Sequence, residues 1–243
     1  MRFAIVCLMA ATAVSVSARY PSGHSKRPQD YGLYFSNSPS IQNVRVLSGE
    51  GDNNAHNRAI AEDTQINKVI NEDGPGNRGP SGLYYGDSVV PQRVEADAGR
   101  GKNNHDNLAS ATGNQDNSIV NKNRPENPSG MDVPNSPAYQ ESIARVANGD
   151  NTALSTANQD NSLRNKYKSY INTPNTPLYQ RAVAEAEGTD NDPRERLAVA
   201  KANQDNSVYN GPDQNIQVQN GTAIATGHGN FKSKATVNNK QNY

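Results

Sequence analysis

Past the first eighteen residues this chain has no cysteine, and nowhere does it have a tryptophan. The single Cys7 lies in "MRFAIVCLMAATAVSVSA", so a disulfide scaffold of the kind that staples small secreted domains is excluded for the rest of the chain. Phenylalanine occurs three times, hydrophobic residues make up 33% of the chain and the mean hydropathy is −0.89, so a core of large side chains is hard to assemble. What remains is disorder or an architecture that needs only a thin core. Excess charge of either sign is also missing, with 24 basic residues against 24 acidic ones. That removes the long-range field on which nucleic-acid and anionic-membrane binders rely, and neither partner is expected.

Catalytic constellations are equally scarce. There is no G-x-S-x-G, and "AGRGKNN" (98–104) lacks the earlier glycine and the following Ser or Thr of a phosphate loop, so it reads as a turn. His56 and His105 occupy nearly equivalent positions without counterparts elsewhere, which favours solvated loop residues over metal ligands. The acidic amide loops "GEGDNN" (49–54), "NGDN" (148–151) and "GTDND" (188–192) lack the ligand alternation of a calcium loop and read as turns. No enzyme activity, cofactor or metal is expected.

The leader has Arg2, an apolar run from Phe3 to about Val14, and small residues Val16 and Ala18 at the −3 and −1 positions of a cleavage site. We read residues 1–18 as a secretory signal peptide, too short to span a ~30 Å hydrocarbon core, and expect a secreted, extracellular protein with no membrane association once it is removed. Residues 19–38 read as a mobile, polar, aromatic-spotted arm.

The remainder is repetitive. "GNQDNS" (113–118) and "ANQDNS" (157–162 and 202–207) place Gln115, Gln159 and Gln204 in register, with small residues four and six positions earlier. The same frame takes in Gln65 with Asn67 and, degraded, "ATVNNKQ" ending at Gln241. Glycines precede these stretches at Gly49, Gly99, Gly149 and Gly188. The repeat region is 39–243, with units near 39–71, 89–122, 137–166, 177–210 and 212–243. Between them, "NEDGPGNRGPSG" (71–82), "NRPENPSGMDVPNSP" (123–137) and "NTPNTP" (172–177) read as turns or extended connectors rather than strands, because proline removes a backbone donor.

Within a unit the period favours β structure. "IQVQNGTAIATG" alternates on either side of Asn220-Gly221, a hairpin signal, and "VRV" and "VEADA" alternate too. Helix remains a competing reading for the middle units, since Ser136-Pro137 with Gly149, Thr176-Pro177 with Gly188, and Asp192-Pro193 all resemble helix starts and stops. The expected fold is all-β: imperfect tandem strand-turn-strand units stacked in a β-solenoid-like manner.

On that fold, glutamines and asparagines at one position of successive layers can form amide ladders, and the candidates are Gln65, Asn67, Gln115, Asn117, Gln159, Asn161, Gln204, Asn206 and Gln241. Strand-turn-strand units of this size, with Gln, Asn and small apolar positions, resemble the curlin-type repeats of bacterial amyloid fibres, and that resemblance implies a stacked β-solenoid. The prolines of the connectors depart from it. In its signal peptide and its use of Tyr, Pro and Asn the chain is also similar in style to secreted insect cuticle, silk and eggshell proteins. Asn220-Gly221-Thr222 is the usable N-glycosylation sequon. Eleven tyrosines gather at connectors and ends, as local anchors or as matrix contacts. The expected role is a structural or assembly protein that self-associates or joins an extracellular matrix polymer. The alternatives are a protein binding a chitin-like polysaccharide or another repeating surface, and a secreted defence protein.

Overall fold

The computed structural model describes residues 5–13, 31–53, 55–72, 82–101, 104–122, 130–147, 151–166, 170–174, 176–186, 196–210, 216–217, 221–229 and 232–240. Among them the fold is all-β and every strand pair is parallel. No helix occurs there: the stretches that begin at Ser136-Pro137 and Thr176-Pro177 enter strands Ala138–Val146 and Leu178–Ala186.

In chain order, β1 is Ile5–Ala13, and four layers of four strands follow. These are β2 (Tyr31–Ser36), β3 (Gln42–Ser48), β4 (Arg58–Ile66) and β5 (Val69–Glu72); β6 (Gly82–Gly86), β7 (Val90–Ala98), β8 (Asn107–Asp116) and β9 (Ile119–Lys122); β10 (Met131–Asp132), β11 (Ala138–Val146), β12 (Asn151–Asp160) and β13 (Leu163–Asn165); and β14 (Ile171–Asn172), β15 (Leu178–Ala186), β16 (Arg196–Asp205) and β17 (Val208–Asn210). A last layer holds β18 (Ile216–Gln217), β19 (Gly221–Gly229) and β20 (Lys232–Lys240).

Each sheet takes every fourth strand. The longest runs β1-β4-β8-β12-β16-β20; a five-stranded sheet of β3, β7, β11, β15 and β19 lies against it; and two further sheets are made of shorter strands, β2-β6-β10-β14-β18 and β5-β9-β13-β17. The repeat copies fall in register, with Gln65, Gln115, Gln159 and Gln204 on consecutive strands.

Alternation explains the placement. Strands β8 and β12 bury every second residue, with an amide side chain near each end (Asn107 and Gln115, Asn151 and Gln159) and small residues between: Ala109 and Ala111, Ala153 and Ser155, with Ala198 and Ala200 on β16. Facing them are Val94, Ala96, Ala144, Ala182 and Ala184, so the two long sheets enclose a core built almost wholly of alanine and valine. The low hydrophobic content therefore suffices, because closely spaced sheets leave little volume to fill. Larger side chains, Phe35, Leu83, Tyr85, Ile119, Met131, Leu163, Ile171 and Val208, form a second core between the short sheets.

Three sequence expectations need correction. The strands flanking Asn220-Gly221 are not a hairpin: β18 pairs with β14 and β19 with β15, both parallel and in different sheets, and Asn220 itself lies outside the described residues. The connectors contribute strands, since β10 lies within 123–137 and pairs with β6 and β14. Their prolines sit beside the paired residues, as Pro134 and Pro174 do, and still supply carbonyl acceptors to the next layer. The end of the N-terminal arm is likewise tied down, with β2 paired to β6.

Turns between the long sheets use left-handed backbone where the register requires it. Gly49 and Gly99 both have φ of 70°, and a Cβ at Gly99 would collide with the Asn107 side-chain amide. Gly149 and Gly188 lie outside the described residues.

Candidate functional site

The hexapeptide sits at the corner where the long sheet ends, and each of its polar residues has a separate task. Gln points inward. Gln115 donates to the Gln65 carbonyl at 2.8 Å, Gln159 to Gln115 at 2.7 Å and Gln204 to Gln159 at 2.7 Å, and these four glutamines are no more than 3% exposed. Gln115 spends its second amide hydrogen on the Val90 carbonyl at 2.8 Å, and Gln65 closes its end of the column on the Ser40 carbonyl at 2.7 Å. The aspartate that follows accepts the backbone N–H two residues on: Ser118 to Asp116 at 2.9 Å, Ser162 to Asp160 at 2.8 Å and Ser207 to Asp205 at 3.0 Å. This Asx turn bends the chain into the next strand. The final asparagine forms a second column, with Asn67 donating to Asn117 at 2.8 Å, Asn117 to Asn161 at 3.0 Å and Asn161 to Asn206 at 3.0 Å.

Eight of the nine ladder candidates are thereby brought together. Gln241 lies outside the described residues, and the frame that put it opposite Gln204 is two residues off, because Asn239 takes that place. Asn220 also lies outside the described residues.

Columns that sequence reasoning missed are as extensive. On the facing sheet Gln140 donates to Gln92 at 2.7 Å and Gln180 to Gln140 at 2.8 Å, while Gln140 also reaches across the core to the Asn158 carbonyl at 2.9 Å. Such bonds tie one sheet's side chains to the other sheet's backbone, which only a thin core allows. A corner column joins Asn57 to Asn107 at 2.7 Å and Asn107 to Asn151 at 3.2 Å, and an outer row links Asn114, Asn158, Asn203 and Asn238 with bonds of 2.7–2.8 Å.

The outer face of the facing sheet carries charge that changes sign at every layer. Arg45 stands opposite Glu95, and two residues on, Asp97, Arg145 and Glu185 are stacked, with Arg145 at 2.8 Å from Glu185 and reaching diagonally to Glu95 at 2.7 Å. Beside them Arg93, Glu141 and Arg181 form the opposite phase, at 3.0 and 2.9 Å. Burial alone would lower the pKa of the Arg145 guanidinium, but its bond to Glu185 and the charges of Glu185, Glu95 and Asp97 outweigh this and raise it. Burial pushes the Asp63 carboxyl up, against the bonds from Gln92 and the Thr64 backbone. For Asp205 burial acts in the same sense, but the Ser207 hydroxyl and N–H together with Lys240 prevail and lower the pKa.

His56 and His105 stack edge to face at 6.1 Å and both approach Asp106, at 3.5 and 3.0 Å. No group of three or more His, Cys, Asp or Glu is arranged to hold a metal ion among the described residues. The connector tyrosines serve locally in part: Tyr85 packs edge to face on Phe35, Tyr170 bonds Asp132 at 2.9 Å, and Arg164 lies 5.8 Å over the Tyr209 ring. Comparison with protein-family models, curated proteins and solved structures finds no match.

Proposed function

We propose that this chain is a secreted structural protein of the extracellular space, folded as a β-solenoid whose tandem units stack one per turn, and that it works by associating with further copies of itself. The observation that carries the reading is the set of hydrogen-bonded columns running through successive layers, Gln65-Gln115-Gln159-Gln204 foremost. Such columns order a stack along one direction, and parallel strands at its two ends present unpaired backbone groups that another chain can continue. Sedimentation of residues 19–243 over a hundredfold concentration range, with far-ultraviolet circular dichroism, tests the proposal. Mass rising with concentration while the β signal holds is expected, and a folded chain that stays monomeric throughout would sink it.

A second reading rests on the outer row Asn114, Asn158, Asn203 and Asn238 beside Asp116, Asp160 and Asp205. Polar groups repeated once per strand, about 4.8 Å apart, suit a repeating polysaccharide such as chitin. Co-sedimentation with chitin, abolished by Asn158→Leu, would favour it over self-association.

A further inference from the structure

We infer that residues 5–13 are a removable cover on the edge of β4, and that once they are gone this edge takes β20 of a second copy, joining chains head to tail. The inference rests on the self-associating reading above and names its contact.

Strand β1 lies on β4 in parallel and in register over nine pairs, from Ile5 opposite Arg58 to Ala13 opposite Ile66. It occupies the place that one more layer of the stack would occupy. The segment belongs to the apolar leader that ends at Val16 and Ala18, so removal by signal cleavage strips β4 of its neighbour. Nine consecutive residues of backbone then face solvent, a long edge for a natural protein to leave bare.

The two ends of the long sheet differ in cover. With β1 in place, the inward residues of β4 are fully enclosed: Ala59, Ala61 and Gln65 are 0% exposed and Asp63 is 1%. At the other end Ala235 and Asn239 are exposed and Val237 is 46% exposed, although they stand in the same inward columns. Continuing each column from β20 into β4 of a second copy sets Ala235 against Ala61, Val237 against Asp63 and Asn239 against Gln65. Ala235 against Ala61 and Asn239 against Gln65 repeat the small and hydrogen-bonding pairs of the interior layers. Strand direction is preserved, whereas an antiparallel β4–β4 pairing would break every column. The contact is heterologous and leaves a free β4 and a free β20 at the ends, so growth is open-ended. Two pairs oppose it: Val237 meets the Asp63 carboxyl, and Lys232 comes opposite Arg58 in register, a like-charge pair that salt screens.

The test uses secreted chain 19–243, which has no cysteine, carrying either Thr64→Cys or Asn238→Cys. The continued register sets these outward positions opposite each other on neighbouring strands, within disulfide reach. Mild oxidation of a one-to-one mixture should give a 64–238 heterodimer, at least tenfold more abundant than either homodimer, and increasing with salt. The full chain with residues 1–18 retained and Cys7→Ser should give at least tenfold less. Assembly of the mature chain without the 64–238 product, or with 64–64 product dominant, overturns this inference and leaves self-association standing. A folded mature chain that stays monomeric overturns both. Secreted protein that keeps residues 1–18, or a mature chain without β dichroism, also overturns the inference, because the leader is then a permanent part of the sheet.

Discussion

Replacing Gln115 by leucine leaves the volume of the site nearly unchanged and removes three hydrogen bonds at once. The amide of Gln115 donates to the Gln65 and Val90 carbonyls, both at 2.8 Å, and its own carbonyl accepts from Gln159 at 2.7 Å. The site is 2% exposed, so water cannot replace the lost partners without opening the layer. Each buried polar group left unpaired costs about 1–3 kcal/mol, and the gain from burying a leucine side chain is about 1.5–3 kcal/mol. With three groups orphaned, the net loss should be about 2–4 kcal/mol. Urea unfolding followed by circular dichroism reads it as a lowered midpoint, and Thr112→Ala, on the outer face of the same strand, should stay within about 0.5 kcal/mol of the wild type. Gln115→Glu sharpens the point: an ionised carboxylate would face two acceptors with no hydrogen to donate. Its cost should therefore exceed that of leucine at pH 7 and shrink on acidification, as protonation restores one donor. A Gln115→Leu midpoint equal to that of the wild type would refute the idea that the column holds the layers together.

The remaining predictions concern charge, burial and backbone. Arg145→Glu sets a carboxylate between Asp97 and Glu185 on the neighbouring strands, with Glu95 also nearby; because Arg145 is 37% exposed the loss should be modest, about 1–3 kcal/mol, and Glu185→Arg should recover part of the urea midpoint. Asp63→Asn should stabilise the protein at pH 7 by about 1–2 kcal/mol while keeping the acceptor for the Gln92 amide. Its carboxyl is raised in the folded state, so stability from this group is full below the ordinary value of 3.8 and is lost as pH rises through the folded pKa. The variant should consequently differ from wild type at neutral pH and converge with it near pH 3, and equal midpoints at pH 7 would argue against it. Gly99→Ala should cost about 1–3 kcal/mol, since φ is 70° and the new Cβ meets the Asn107 amide; an unchanged thermal midpoint would show that the corner relaxes freely.

Much of this was readable from sequence, and the exceptions have physical causes. The shared "NQDNS" stretch reported the inward Gln column and the Asn column because one register governs both. The second glutamine column was also in plain view, in "PAYQ" and "PLYQ", but its third member Gln92 lies in "VVPQ", where only the glutamine agrees and Pro91 stands opposite Tyr139. The two-residue slip at Gln241 follows from the period of a strand: shifting by two keeps every side chain on its face, so no hydrophobic pattern can detect it. Asn220-Gly221 suggested a hairpin because that dipeptide reports only a tight reversal or corner and is silent on which sheet comes next. Ser136 and Thr176 imitated helix caps for a similar reason. Their hydroxyls accept backbone N–H groups, Ser136 from Ser88 at 3.3 Å and Thr176 from Ser136 at 3.4 Å, as a cap does at a helix end, and also donate to the Tyr85 and Val133 carbonyls. The alternating charges escaped notice because comparing units for identity hides a rule that makes neighbours opposite.

That alternation gives the stack a parity. If β7 exchanged with β11, Arg93 would meet Arg181 and Asp97 would meet Glu185. In the Arg93-Glu141-Arg181 and Asp97-Arg145-Glu185 columns, residues two layers apart carry the same sign. In these columns layers are therefore interchangeable in twos and never singly, so a chain lengthened by duplication would keep their charge order only by gaining an even number of layers.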